Sequence, residues 1–161
     1  MFSFLKKKKN IEIKSPVNGL VKKIEDVKDQ VFSEKIMGDG VAIQIEDGDV
    51  YAPVSGTITS VILPSSHAFG ITTKEGLEVL VHVGLDTVNL KNGEFTLLKQ
   101  QGDYVNMGEP VIKINYDLLS KLNIDLITPV VITNSKNFNL QKKIGFNVQY
   151  GNESIIECSL R

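Results

Sequence analysis

The sequence predicts an all-β protein, an antiparallel β-sandwich or barrel-like single domain with Greek-key or jelly-roll features and very short helices. Short apolar runs of strand length recur along the chain, and β-branched residues are frequent within them. Glycine, proline, asparagine and aspartate separate these runs at short intervals, as turns require. The length of 161 residues, with 42% hydrophobic and 23% charged residues, is typical of one soluble globular domain.

The predicted strands follow one another as six apolar runs. They are GLVKKI at 19–24, GVAIQI at 40–45, GTITSVI at 56–62, LEVLVHVG at 77–84, PVIKI at 110–114 and PVVITN at 129–134. One further segment, YDLLSKLN at 116–123, has the composition of a short helix. Strands of this length separated by such turns are typical of sandwiches and barrels.

Two parts of the chain differ in composition. We predict that residues 1–10, MFSFLKKKKN, form a disordered basic tail and that residues 11–161 form the folded domain. A signal peptide places its charges before its apolar region, and here the order is reversed. We expect at most weak contact between this tail and an anionic membrane, through Phe2, Phe4 and Leu5 beside four lysines.

The charged residues and the single cysteine exclude several classes of function. The net charge is −1 and the only arginine is Arg161, which disfavours nucleic-acid binding and an arginine-assisted nucleotide kinase. Cys158 is the single cysteine, so the chain forms no internal disulfide and no cysteine metal cluster. This composition suits a reducing compartment, and we expect the protein to be cytoplasmic.

The two histidines lie on either side of an expected hairpin. HAFGITT at 67–73 and LEVLVHVG at 77–84 flank Lys74-Glu75-Gly76. We predict that the imidazoles of His67 and His82 lie within a few ångströms of each other, as an even number of loop residues requires, because that number places them on the same face. An odd loop or a bulge would place them on opposite faces. On the even register three apolar residues share the histidine face and line a shallow depression: Phe69, Ile71 and Leu80. Four others then point to the core: Ala68, Val79, Val81 and Val83.

Several chemistries of a histidine pair can be compared. A self-contained zinc site needs three or four ligands, and no third ligand is spaced nearby. The chain also lacks a Gly-x-Ser-x-Gly elbow, a Walker loop and a Gly-x-Gly-x-x-Gly motif. GDYVNMGEPVI at 102–112 has the rhythm of a biotinyl or lipoyl carrier, but no modifiable lysine motif accompanies it. Neutral imidazole is a good nucleophile towards phosphorus, and a second imidazole can stabilise the phosphoryl oxygens. The alternative is that each histidine is a tolerated polar residue in a sheet.

Six stretches in order resemble one family. They are VFSEKIMGDGVAI at 31–43, APVSGTI at 52–58, HAFGI at 67–71, VLVHVGLDTVNL at 79–90, GDYVNMGEPVI at 102–112 and TPVVITN at 128–134. Together they resemble the glucose-type enzyme IIA proteins of the bacterial phosphoenolpyruvate-dependent sugar phosphotransferase system (PTS), over roughly residues 11 to 150. The resemblance implies an antiparallel β-sandwich whose active site holds two facing histidines, and it implies no cofactor.

The resemblance also implies a role for each site residue. His67 is expected to accept a phosphoryl group at Nε2 from the phosphocarrier protein HPr and to pass it to a cysteine on the IIB domain of a sugar permease. His82 is expected to hydrogen-bond that group, and Ser65 to orient the His82 ring. With a carboxylate from a partner, the two histidines could share a zinc ion. The expected partner contacts are Asp29, Val31, Phe32, Phe69, Leu80 and Asp86.

Two interpretations of function follow. The leading one is a phosphotransfer intermediate, which handles a phosphoryl group only between proteins and uses no nucleotide. The other is a non-catalytic regulatory binding module of the same fold. Gln30 stands where the family commonly has an apolar rim residue, so partner preference is expected to differ at that position.

Overall fold

The structure is a computed structural model and describes residues 10–161. Most of the predicted basic tail, with Phe2, Phe4 and Leu5, lies outside the described residues. Fourteen strands are present in the described part of the chain. They are β1 (Ile11–Lys14), β2 (Asn18–Lys23), β3 (Asp39–Asp47), β4 (Val50–Tyr51), β5 (Gly56–Val61), β6 (Ala68–Thr72), β7 (Glu78–His82), β8 (Phe95–Leu97), β9 (Tyr104–Val105), β10 (Pro110–Ile114), β11 (Ile127–Ile132), β12 (Phe138–Lys142), β13 (Asn147–Val148) and β14 (Ser154–Leu160).

The strands form three sheets in which every pairing is antiparallel. The large sheet has the order β13-β2-β3-β11-β7-β6-β5-β9, and the two small sheets are β1-β14-β12 and β4-β10-β8. Strand β11 lies between β3 and β7, although a long stretch of chain separates it from both. Such long returns are the connections of Greek-key folds. The prediction of an all-β antiparallel fold is confirmed.

Apolar residues cover both faces of the large sheet near β3 and β11. Val41, Ile43 and Val130 point into the main core between the sheets, while Ala42 and Val131 point to the opposite face. Alternation along a strand assigns neighbouring residues to opposite faces, so both faces here are buried. The second face is covered by a smaller apolar cluster that Leu80 contacts: Ile24, Val27, Phe32, Ala42, Leu85, Ile127 and Val131.

Helices are short in the described residues. Helix α1 (Gln30–Ser33) begins after Asp29, and helix α2 (Tyr116–Leu119) begins after Asn115, whose side chain accepts a hydrogen bond from the Leu118 N–H. Helix α2 ends four residues before the predicted boundary. Only Leu119 of this helix is buried, so little tertiary packing is available to stabilise further turns. Neither helix is long and apolar enough to traverse a bilayer.

Cys158 lies in the core of strand β14, between Ile11 and Leu140, and is 0% exposed. Burial raises the pKa of its thiol to about 12, so the reactive thiolate is scarce at neutral pH. We expect no labelling by a thiol reagent in the native protein and full labelling in denaturant. Cys158→Ser should lower the free energy of unfolding by about 1–2 kcal/mol, because it buries a hydroxyl group. Rapid labelling of the native protein, or a folded Cys158→Ser variant that fails in phosphoryl transfer, would contradict this.

Candidate active site

The β6–β7 hairpin has a different register from the one the sequence suggested. Ala68 pairs with His82 and Thr72 pairs with Glu78, so the connection is residues 73–77, an odd number. A hydrogen bond from Thr73 N–H to the Leu77 carbonyl narrows it to a three-residue turn. Gly76 supplies the left-handed residue (φ 89°) that such a turn requires. The predicted even loop is therefore wrong.

In this register several side chains lie on the opposite face of the hairpin from the predicted one. Phe69 and Ile71 lie in the main core, and Phe69 is only 1% exposed, so their predicted place on the histidine face is wrong. Ala68 lies opposite His82 and shares its face, so its predicted core orientation is also wrong. Leu80 does share the histidine face, as predicted, and packs against the small cluster. The predicted core positions of the other three are confirmed: Val79, Val81 and Val83.

The two imidazoles nevertheless meet. Their Nε2 atoms lie 3.1 Å apart, and the ring centroids are 4.6 Å apart with an interplanar angle of 83°. Strand β6 begins at Ala68, and His67 lies one residue before it, where its carbonyl still accepts from the Val83 N–H at 2.7 Å. Ser66 has a left-handed backbone (φ 60°), so the chain leaves the extended conformation directly before His67 and strict alternation between faces does not apply to its side chain. The prediction that the rings lie within a few ångströms is confirmed, although its derivation from the hairpin register is wrong.

Hydrogen bonds define which ring nitrogens carry protons. The His82 Nδ1 atom lies 2.9 Å from the Gly84 carbonyl oxygen, which only accepts, so His82 carries its proton on Nδ1. A neutral His82 then accepts at Nε2, and His67 donates its own Nε2–H across the 3.1 Å contact. The remaining His67 nitrogen, Nδ1, accepts from the Ser65 hydroxyl at 2.5 Å. Ser65 therefore orients His67, and the prediction that it orients His82 is wrong.

Burial keeps both rings neutral. It lowers the pKa of His67 to about 4, assisted by repulsion from His82, and the His67 side chain is only 1% exposed. Burial also lowers the pKa of His82, against the opposing influence of the Gly84 carbonyl and of the Asp29 carboxylate. At neutral pH the site holds two uncharged imidazoles that share one hydrogen bond. A neutral ring is the nucleophilic form of histidine.

Folding stability should depend on pH through His67. The unfolded ring has a pKa near 6.5 and the folded ring near 4, so between these values the unfolded chain binds more protons. The contribution is fully present above pH 6.5 and is lost as the pH falls towards 4. We expect it to amount to about 2–3 kcal/mol. Denaturant titrations from pH 7 to 4.5 should show a smaller loss of stability in His67→Ala than in the wild type. Parallel pH profiles would contradict this.

The segment after β2 and a 3₁₀ turn (Ile24–Asp26) places most of the other predicted residues near the pair. The Asp29 carboxylate accepts from the Val31 N–H, caps helix α1 and acts electrostatically on His82. Val31 is 41% exposed, as a partner contact requires, whereas Phe32 is 4% exposed and lies against the His82 ring. Asp86 is exposed in the loop after His82.

Three functional features escaped the sequence analysis. Gly84 provides the carbonyl that fixes the His82 tautomer, and only its position two residues after a histidine could have suggested it. Exposed apolar side chains also occur on the two segments that follow helix α1 and His82: Ile36, Met37 and Val88. Their hydropathy alone does not distinguish them from core residues. Phe32 was predicted as a rim residue, and its packing against His82 was not foreseen.

The pair provides two nitrogen ligands for a metal. Residues 10–161 contain no group of three or more histidine, cysteine or acidic side chains arranged to hold an ion. A tetrahedral zinc site would therefore need ligands from another molecule. The shared zinc ion suggested by the sequence stays a prediction.

Comparison with known proteins agrees with this geometry. The model of the family described as phosphoenolpyruvate-dependent sugar phosphotransferase system, EIIA 1, matches residues 11–138. The PTS system glucose-specific EIIA component of Halalkalibacterium halodurans is 39% identical over 150 residues, which are 92% of this chain and 86% of that protein. The solved structure of glucose permease IIA from Mycoplasma capricolum has a TM-score of 0.85 and 34% identity, and the match covers 98% of this chain and 99% of that one.

A longer relative contains the same domain as one part. The PTS system beta-glucoside-specific EIIBCA component of Bacillus subtilis is 42% identical over 135 residues, which are 83% of this chain but only 22% of that protein. The chain thus spans about a fifth of this relative. The family match, the shared fold and the facing histidines agree with one another. This chain belongs to the EIIA 1 family of the phosphoenolpyruvate-dependent sugar phosphotransferase system, and it is a phosphotransferase component that passes phosphoryl groups between proteins.

Proposed function

We propose that His82 accepts a phosphoryl group at Nε2 from phosphorylated HPr and passes it to the cysteine of a IIB domain in a glucose-type sugar permease. The resemblance implied His67 for this role, but the hydrogen bonds favour His82, because the electron pair of His82 Nε2 is free of a proton whereas His67 Nε2 carries one. The observation that carries this proposal is the 3.1 Å contact between the Nε2 atoms of two neutral histidines. The names of two relatives, a glucose-specific EIIA component and a EIIBCA component, support the sugar and the IIB partner. The reaction would take place in the cytoplasm.

The hydrogen-bond chain leaves one ring nitrogen ready for acceptance. The electron pair of His82 Nε2 can attack phosphorus directly, because the His82 proton is on Nδ1 and is donated to the Gly84 carbonyl. The bond from phosphorus to the donor's nitrogen breaks as the bond to His82 Nε2 forms, and the electron pair of the broken bond stays on the donor's nitrogen. The His67 Nε2–H, which contacts His82 Nε2 at 3.1 Å before transfer, can then donate to a phosphoryl oxygen. It supplies a hydrogen bond of the kind that arginine commonly supplies at phosphoryl sites.

Onward transfer would restore this arrangement. When the phosphoryl group leaves for the IIB cysteine, the electrons of the broken bond return to His82 Nε2, and the proton kept on His82 Nδ1 lets the ring depart as neutral imidazole rather than as an anion. The Ser65 hydroxyl donates to His67 Nδ1 in both states and holds the ring at one orientation. His67 is 1% exposed, so the phosphoryl group must enter between the two Nε2 atoms.

The proposed docking surface surrounds this entry point. Exposed apolar side chains are available there for burial against a partner, and desolvated apolar contacts contribute most of the affinity in such interfaces. The carboxylates of Asp29 and Asp86 would attract basic partner residues. The proposed docking surface omits Phe69, which the resemblance implied as a partner contact, because Phe69 is buried in the main core. The apolar members of the surface are Val31, Ile36, Met37, Leu80 and Val88.

We further propose that the functional domain extends over residues 11–161, beyond the end of the family match at 138. Strand β14 (Ser154–Leu160) pairs with β1 and β12, so the C-terminal segment completes a sheet that begins at Ile11. Removal of this strand would expose both neighbours.

The decisive experiment is phosphorylation with labelled phosphoenolpyruvate, enzyme I and HPr. We expect acid-labile, base-stable label on His82, and no label when HPr is omitted. A folded protein that remains unlabelled while a known EIIA component is labelled in the same mixture would overturn the proposal. That result would favour the non-catalytic regulatory module.

A further inference from the structure

We propose that Phe32 is a positioning residue for His82. Its buried ring forms the apolar wall that fixes the His82 imidazole and excludes water from it, so that the electron pair of His82 Nε2 stays directed towards His67 and the entry point between the two rings. This inference rests on the proposed phosphoryl relay and assigns to Phe32 a role within the site, in place of contact with a partner.

The His82 ring is contacted at both nitrogens by the protein and along its side by the Phe32 ring. Its Nδ1 donates to the Gly84 carbonyl and its Nε2 contacts His67, so both nitrogens have protein partners. The Phe32 ring lies against it with a centroid distance of 4.9 Å and an interplanar angle of 59°. Tilted aromatic contacts at this distance are favourable and restrict ring orientation.

Phe32 is poorly placed to meet a partner. It is 4% exposed and packs in the small cluster with residues such as Leu85 and Val131. Its neighbour Val31 is 41% exposed and can serve partner contact instead. Adjacent residues of helix α1 thus differ in role, because one faces outwards and the other covers His82.

The segment that carries Phe32 is fixed to the sheet. The Phe32 N–H donates to the Asp29 carbonyl at 3.1 Å. Gly38, at the end of the segment, adopts φ 130°, and a Cβ atom there would lie only 2.1 Å from the Ile132 carbonyl oxygen of strand β11. Asp39 then forms an ion pair with Lys142 at 2.5 Å. The segment is therefore held to the sheet at its C-terminal end, while the bond from Phe32 to Asp29 stabilises the turn of helix α1 itself.

Opposing effects act on the protonation of His82. The titratable groups that act on it from the neighbouring segments are His67, before strand β6, and Asp29, before helix α1. Asp29 favours the imidazolium, yet burial is the larger effect and lowers the pKa of His82. Phe32 contributes directly to that burial. Loss of its ring would admit water and weaken the desolvation that lowers the His82 pKa. The Asp29 carboxylate, which raises that pKa, would then have the larger effect.

The test uses the series Phe32→Leu, Phe32→Val and Phe32→Ala, with Phe138→Leu as a matched control in the main core, where Phe138 is 2% exposed. The His82 pKa is measured by NMR in the unphosphorylated protein. We expect Phe32→Leu to keep it close to the wild-type value. Phe32→Ala should raise it by about one unit towards 6.5. Phe32→Val should lie between them, and Phe138→Leu should leave it unchanged.

Onward phosphoryl transfer provides the second readout. We expect about a tenfold loss in Phe32→Ala and wild-type rates in Phe138→Leu. A His82 pKa that does not change across the folded members of the series overturns the role of Phe32. If Phe32→Ala does not fold, the difference in His82 pKa between Phe32→Leu and Phe32→Val tests the same role. A wild-type protein that accepts no phosphoryl group from HPr contradicts the proposed function instead, and the pKa series still tests the wall.

Discussion

His82→Ala is expected to reduce labelling from phosphorylated HPr by at least about a thousandfold, because no other described side chain offers a free nitrogen electron pair at the same point. His67 cannot substitute, since its Nε2 carries a proton and its Nδ1 electron pair accepts from the Ser65 hydroxyl. The measurement is the initial rate of label incorporation, with the circular dichroism spectrum as the test of folding.

The packing of His82 makes a folding control necessary. The ring is half-buried and lies against Phe32, so its removal leaves a small cavity there. His82→Gln retains more volume and should be equally inactive, because an amide nitrogen is not a nucleophile towards phosphorus. Label in either folded variant, or label mapped to His67, would disprove the assignment of the nucleophile.

His67→Gln is expected to separate the two half-reactions. Glutamine keeps an N–H donor that can replace the His67 Nε2–H beside the phosphoryl group, so acceptance from HPr on His82 should survive within about tenfold. Glutamine cannot gain or share a proton as imidazole does, so onward transfer should fall about a hundredfold, which corresponds to about 2.7 kcal/mol of transition-state stabilisation.

The two rates can be measured on one preparation. The variant is first labelled to completion, repurified and then mixed with a IIB domain, while Cys158→Ser treated in the same way serves as the control. Normal onward transfer by His67→Gln would show that the His67 imidazole makes no essential contribution to that step. A complete loss of acceptance would show that the His67 ring is essential in the first step as well.

Much of the fold could be predicted from local sequence features. GVAIQI at 40–45 falls within strand β3 (Asp39–Asp47), and PVVITN at 129–134 overlaps strand β11 (Ile127–Ile132). Their β-branched residues and turn boundaries are local properties, and antiparallel strands with short connections follow from them. The identity of the two central histidines was also accessible, because the chain contains only two.

The hairpin shows where local inference failed. A three-residue turn that ends in Gly76 places the strands in an odd register, and this signal was present in the sequence. The same register nevertheless leads to an incorrect expectation for His67, because it assigns that residue to the core face. His67 escapes the rule because the chain leaves the extended conformation directly before it, at Ser66.

The sequence by itself determined the strand pattern, the family and the pair of histidines, because each depends on residue types and their order. The tertiary structure alone decided that Ser65 bonds His67, that Gly84 fixes the tautomer of His82 and that Phe32 covers the His82 ring. These contacts depend on angles and distances between segments that no periodicity encodes. A hydrogen bond changes with a shift of a few tenths of an ångström, and such precision arises only when the whole core is packed.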